Sequence, residues 1–220
     1  MQDQPADSGP KRRERRDARE NRQQILAAAK QRFAAQGIDA TSMQEIARAA
    51  GVGQGTLYRH FTHKGDLCHA LVKEDLAAFR ERVGAIIADA QALASPLARL
   101  DVLIVERIGV TEGHLPLLAA MQEASSGTRP DRPFRGPFDA WVHEHIVALL
   151  GQAIAKDEIA PLDIMFTADA ILATLAPPHL RYLRYELGYS SERIIAGMRR
   201  LFIDGLGRNL RLRTAKETTP

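Results

Sequence analysis

Residues 41–64, TSMQEIARAAGVGQGTLYRHFTHK, restrict what this chain can fold into more tightly than any other stretch. Ser42 followed three residues later by Glu45 is a capping-box pattern, in which hydroxyl and carboxylate satisfy free amides at a helix start. A short helix is therefore expected to begin near Met43. Ile46, Ala47 and Ala50 recur at helical spacing, and Gly51 stands where a left-handed cap is wanted, so that helix ends after about two turns. Val52 would plug the angle between two helices. Gly53 and Gly55 allow close backbone approach ahead of a second short helix carrying Thr56, Leu57, Tyr58, Arg59, His60 and Phe61. Leu57 and Phe61, four apart, face inward. Gln54, Thr56, Tyr58, Arg59 and His60 are left for the other faces, as donors and acceptors with one fixed positive charge. Two short helices about a glycine turn, the second with an outward polar face, describe a helix-turn-helix.

The preceding helix with AAAKQRFAAQG, then TSMQEIARAAGV, then GTLYRHFTHKGDL, resembles the N-terminal DNA-binding domain of the TetR family of bacterial transcriptional regulators. The resemblance covers roughly residues 20 to 70. Two positions depart from it: Gly53 stands where Ser or Thr commonly caps the recognition helix, and His63 where Ser, Asn or Asp commonly starts the next one. Glycine at an N-cap costs a few tenths of a kcal/mol relative to Ser, and losing the second cap about 1 kcal/mol. The resemblance implies an all-α fold: an N-terminal three-helix DNA-binding domain, then a helical ligand-binding and dimerisation domain. It also implies a hydroxyl from Thr41 or Ser42, and the ammonium of Lys64, on DNA phosphates.

Charge follows the same division. Residues 1–64 hold 12 Lys or Arg against 7 Asp or Glu, and residues 65–220 hold 18 against 20. The basic excess lies with the DNA-reading motif, as phosphate neutralisation requires. The lone cysteine, Cys68, excludes an intramolecular disulfide and suits a reducing cytoplasm; it reads as a small buried residue or, alternatively, a sensor thiol. No uninterrupted apolar run is long enough to cross a bilayer and the N-terminus has no apolar core, so neither membrane insertion nor secretion is indicated. The expected location is the bacterial cytoplasm, on the nucleoid.

In chain order, residues 1–19 lack aromatic and aliphatic side chains and read as a disordered basic tail. Its KRRERRDAR run is either a solvated tail or an arm on the phosphate backbone or in a minor groove. Residues 20–65 form the DNA-binding domain, with helix 1 from Asn21 to Gln36 and Ile25, Leu26, Ala29 and Phe33 as its apolar stripe. Residues 66–213 form the regulatory and dimerisation domain, and 214–220 a second disordered tail. A long helix is expected from Asp66 to about Ala90, linking the two domains. One from Leu97 to about Val110 and a short one from Leu115 to Ala124 follow, with Gly113 between them. SSGTRPDRPFRGP is a loop. Phe138–Lys156 reads as a helix, Asp163–Leu187 as another kinked or broken at Pro177-Pro178, and the last starts at Ser191. About nine helices result.

Several patterns suggest chemistry that their context does not support. GVGQG lacks the strand and third glycine of a dinucleotide fingerprint. His60, His63 and His69 would need a further set of Cys, Asp or Glu converging on them to hold a metal, and an exposed DNA-facing surface is the commoner use of such residues; His143-Glu144-His145 points in different directions on a helix, so no metal site and no cofactor is expected. No Ser, His and Asp set assembles into a catalytic constellation, and the chain is not expected to be an enzyme.

A single recognition helix makes too few base contacts to select one site, so a homodimer on a near-palindromic duplex is expected, with the two helices about 34–36 Å apart. Leu172, Leu175, Leu180 and Leu183 with Ile194, Met198, Leu201 and Phe202 offer apolar faces for a two-fold four-helix interface, unless those faces fill the protomer core. The family commonly binds a small effector in the middle helices. Phe79, Met121, Phe138, Trp141 and His145 are candidate walls, with Arg107 or His114 as polar handles, against the alternative of plain core packing. The reading is a repressor released from its operator by a small molecule. The alternatives are an architectural DNA-binding protein of the same fold and an all-α enzyme.

Overall fold

A computed structural model describes residues 10–89, 93–124 and 136–206. All regular elements among the described residues are helices: α1 (Pro10–Gln36), α2 (Met43–Ala49), α3 (Gln54–His60), α4 (Lys64–Ala88), α5 (Pro96–Ala124), α6 (Pro137–Ala155), α7 (Ile164–Thr174), α8 (Pro177–Arg181) and α9 (Ser191–Arg199). Two compact units result, Met1–Glu74 with Pro116–Thr128, and Asp75–Leu115 with Arg129–Pro220. The divisions therefore fall inside α4 and inside α5.

The first unit closes around Ile25, Leu26 and Ala29 of α1, Ile46 and Ala47 of α2, Leu57 of α3, Phe61, and Leu67, Ala70 and Leu71 of α4. These are the apolar stripes legible in the sequence. Ile25, Ile46, Leu57 and Leu67 are fully buried, each such side chain contributing about 1.5–3 kcal/mol relative to exposure. Gly37 and Gly51 adopt φ of 82° and 68°, the left-handed backbone that ends α1 and α2.

Helix 1 starts earlier than expected. Asn21 is not its cap: α1 already runs from Pro10, so the expectation of a disordered tail fails for residues 10–19, while residues 1–9 lie outside the described residues. Proline suits a first helical turn. Beyond it, Arg, Glu, Asp and Ala offer no breaker, and Arg16 pairs with Glu20 one turn on at 3.4 Å.

The second unit is built on Phe79, Val83 and Ile87 of α4, Leu100, Leu103, Ile104 and Ile108 of α5, Val142, Ile146, Leu149 and Leu150 of α6, and the inner faces of α7 to α9. Here α5 is one continuous helix through Gly113, with Pro116 inside it. Gly113 costs about 1 kcal/mol relative to Ala, less than the burial of Ile108 and Leu115 on either side returns. Asp163 caps α7 by accepting from Phe166 N–H at 3.0 Å. The expected interruption at Pro177-Pro178 separates α7 from α8. After α8 and α9 the backbone widens to i→i+5 bonding, Leu187 N–H to Tyr182 O and Gly205 N–H to Arg200 O, each 3.1 Å. Most of the SSGTRPDRPFRGP loop and all of the 214–220 tail lie outside the described residues.

Candidate nucleic-acid interface

α3 is seven residues long and is held from beneath. Leu57 and the capping Phe61 are buried, and Phe61 N–H donates to Leu57 O at 2.9 Å. With that edge fixed, Gln54, Tyr58 and Arg59 are exposed and Thr56 and His60 half-buried. Gly53 caps α3 with extended backbone and no side-chain acceptor, leaving its leading amides open. The imidazole of His60 lies below its ordinary range, first because burial disfavours the cation, then because Arg59 and Arg22 add positive charge. At pH 7 it is neutral, one donor and one acceptor. Arg59 offers a planar fork of the kind that reads guanine O6 and N7.

At the start of α2 the capping box is complete. Ser42 N–H and Oγ both donate to Glu45 Oε2 at 2.8 Å, and Glu45 N–H donates back to Ser42 Oγ at 3.2 Å. These bonds hold the Glu45 carboxyl below the usual carboxylate range. Ser42 stays exposed, whereas Thr41 is 1% exposed and donates its hydroxyl to Gly37 O at 2.7 Å. Thr41 is thus not placed to meet a phosphate, because its hydroxyl closes the α1–α2 connection. Lys64 is also committed locally: its ammonium donates to Ile38 O at 2.6 Å and Asp39 O at 3.3 Å, tying the head of α4 to that connection. Nor is the α4 cap lost at His63. Its Nδ1 accepts from Asp66 N–H at 3.2 Å, and the Asp66 carboxylate accepts from Thr62 N–H at 3.0 Å. Imidazole here does the work of the expected hydroxyl.

Cys68 is fully buried, and burial pushes its thiol up to about 11. Of the two readings for this residue, the small buried one fits, since the thiolate a sensor needs is suppressed.

Of the seven residues suggested as effector walls or handles, five gather in the second unit. Phe79 packs edge-on against Phe138 (centroids 5.3 Å) and Trp141 (6.1 Å), Trp141 lies against His145 (4.1 Å), and Arg107 sits over the Phe138 ring at 5.1 Å. Arg107 is 4% exposed and donates to Asp139 Oδ1 at 3.2 Å. Its Nε meets no hydrogen-bond acceptor among the described residues. Burial pulls its guanidinium below the ordinary range, against the opposing pull of Asp139. His145 Nδ1 faces Trp141 O at 2.8 Å; a carbonyl only accepts, so that nitrogen carries the proton. His114 is instead paired with Asp75 at 3.2 Å, and Met121 belongs to the first unit. Asp139 and Arg80, whose guanidinium covers Trp141 at 5.6 Å, are members that sequence reading missed. Asp139 follows Phe138 in the first turn of α6, a position that reads simply as a helix-start acid.

Among the suggested interface residues, Leu172, Leu175, Leu180, Ile194 and Met198 are buried within the protomer. They fill its core and are unavailable to a second chain. Leu183 and Phe202 pack part-buried against that core, and only Leu201, at 63%, is exposed. Tyr182, Tyr185 and Leu187 are exposed on the preceding segment.

Residues 25–71 match the family model described as bacterial regulatory proteins, tetR family. An HTH-type transcriptional regulator of Staphylococcus aureus (strain USA300) is 48% identical over 65 residues, 30% of this chain and 35% of that protein, so the chain spans about a third of that relative's length. Among solved structures, a transcriptional regulator of the TetR/AcrR family from Thermobifida fusca has the same fold, with a TM-score of 0.63 at 23% identity over 85% of this chain and 98% of the other. AibR, solved with isovaleryl coenzyme A and operator DNA, superimposes with a TM-score of 0.50 at 22% identity over 83% and 98%. Over its helix-turn-helix segment, residues 25–71, this chain is thus similar to the tetR family of bacterial regulatory proteins.

Proposed function

We propose that the protein is a sequence-specific, dimeric DNA-binding regulator, acting as a repressor that a small molecule releases from a near-palindromic operator. The observation that carries the reading is α3. Its buried edge leaves Gln54, Thr56, Arg59 and His60 for base edges and Tyr58 for a phosphate. Ser42 is the remaining hydroxyl candidate for a phosphate at the start of α2. Two copies related by a two-fold axis would place two such helices in successive major grooves, joined through Leu201, Tyr182 and Tyr185.

The effector would be met in the second unit, where Arg107 keeps an unsatisfied Nε beside Phe79, Phe138 and Trp141. Proteins of the same fold solved with isovaleryl coenzyme A and operator DNA, and with stearoyl-CoA, are the precedent for such a ligand. A ligand can shift the DNA-binding equilibrium only by its difference in affinity for the two states.

The test is selection of duplexes from a random pool by the full chain, then titration of the enriched duplex with Arg59→Ala. A palindrome should emerge, and the variant should lose about 1–3 kcal/mol of discrimination at one base pair per half-site. Equal weakening on every sequence would make Arg59 a phosphate contact; no enriched duplex at all would overturn the reading.

A further inference from the structure

The matched family segment begins at residue 25, yet α1 begins at Pro10. On an α-helix Arg15, Arg19 and Arg22 fall at i, i+4 and i+7 and share one face, while Glu14, Asp17 and Glu20, spaced by three, fall on another. Arg16, between the two sets, pairs with Asp17 and Glu20 at 4.0 and 3.4 Å. Arg15 and Arg19 are exposed, and no ion pair involves either among the described residues.

Arg22 fixes where this basic face points. Its guanidinium lies over the Phe61 ring at 5.5 Å and donates to Glu74 Oε1 at 2.9 Å. Phe61 is the residue that caps α3. The charge of Arg22 is also felt at His60, the last residue of α3. The face that carries Arg15 and Arg19 therefore starts beside the final turn of the recognition helix and continues away from it. At 1.5 Å per residue, Arg15 lies about 10 Å beyond Arg22 along the axis, the rise of roughly three base pairs.

Resting on the DNA-binding reading above, we propose that this N-terminal extension of α1 is a second DNA-contacting surface. Arg15 and Arg19 bind backbone phosphates of the duplex flanking the recognition half-site, with the helix holding both on one face. Arg22, neutralised by Glu74, anchors the surface. The contacts add affinity without reading sequence, because phosphates carry no base information.

The full-length protein, its Arg15→Gln/Arg19→Gln variant and an Ala18→Pro variant are titrated by fluorescence anisotropy on the enriched duplex between 0.05 and about 0.3 M salt. Two duplex lengths are used: one trimmed to the palindrome, one carrying extra flanking base pairs. Each phosphate contact contributes about 0.9 to the salt slope, or about fivefold in affinity at 0.15 M. On the long duplex, the double variant should bind about 30-fold more weakly or worse and lose at least about 1.8 from the slope. On the trimmed duplex wild type and variant should converge.

Ala18→Pro keeps every charge but breaks the helix, and should lose affinity as the double variant does; circular dichroism verifies that the rest of the chain stays folded. Wild-type affinity and slope in the double variant would make the run a solvated extension and overturn the proposal. Full affinity in Ala18→Pro alone would overturn the helical face in favour of a flexible arm. Wild type that binds no duplex would remove the DNA-binding reading itself, and this proposal with it. Wild type that binds while the variants match it removes only the proposal.

Discussion

Arg107 and Asp139 should behave asymmetrically when either is removed. The guanidinium is 4% exposed, held by one 3.2 Å hydrogen bond to a carboxylate whose side chain is 22% exposed, and it rests on the Phe138 ring. Asp139→Ala leaves a desolvated charge with only the ring as partner. Breaking a buried pair in this way costs about 3–5 kcal/mol, and partial access of water to this side puts the expected loss near 3. Arg107→Met removes the desolvated charge and keeps the apolar stem. The carboxylate left behind already reaches water, so the expected loss is about 1 kcal/mol. The double variant should fall within about 1 kcal/mol of the parent, giving a coupling of about 3 kcal/mol. The sole tryptophan, Trp141, lies 6.1 Å from Phe79 and beneath Arg80, so its fluorescence reports on this unit in a urea titration. With a slope of about 2 kcal/mol/M, the midpoint should drop by about 1.5 M for Asp139→Ala and about 0.5 M for Arg107→Met. Equal losses, or a larger loss for Arg107→Met, would refute the view of Arg107 as a charge whose burial is tolerated only through Asp139.

Thr41→Val keeps the shape of the buried side chain and deletes its bond to Gly37 O. Stability should fall by about 1 kcal/mol in thermal melts, with the salt slope of DNA binding unchanged; a shallower slope would return Thr41 to the phosphate backbone. The Cys68 thiol, raised to about 11, should resist iodoacetamide at pH 8 until urea unfolds the chain, and labelling at the rate of a free thiol would contradict its burial. His60 should titrate below 6.5 in proton NMR. Because the unfolded chain then binds the proton first, stability is full above about 6.5 and declines as pH falls toward the folded midpoint; a midpoint above 6.5 would reverse that sign. Leu201→Glu changes a residue 63% exposed, so sedimentation should show the proposed dimer of the parent replaced by folded monomer, and an unchanged dimer would move the interface elsewhere.

Much of the first unit was legible because its signals are local. The Ser42–Glu45 box, the glycine stop at 51 and the spacing of Leu57 and Phe61 each follow from bonds within one or two helical turns, and the structure holds all three. Local signals fall short where a side chain answers a distant partner. Lys64 reads as a phosphate ligand from its place in the motif, and nothing nearby in sequence shows that its ammonium reaches Ile38 O, 26 positions earlier. His63 reads as a missing cap because rules for hydroxyl and carboxylate caps leave out a ring nitrogen. Asn21 reads as a helix start on composition, although a charged run without breakers can remain helical for as long as its pairs allow.

Sequence alone determined that this chain is helical, that residues 41–64 form two short helices about a glycine turn, and that the second presents Gln54, Thr56, Tyr58, Arg59 and His60 outward. Capping, left-handed glycine and helical periodicity are short-range, so no other part of the chain need be consulted. Tertiary structure alone decided how the apolar residues are divided between core and surface. Leu172 and Leu201 are alike as leucines on apolar helix faces, yet one is buried at 6% and the other exposed at 63%. The same packing left the Arg107 guanidinium in an apolar cluster with Asp139 beside it. Burial is the sum of what several remote helices place around a side chain, and no local spacing carries that sum.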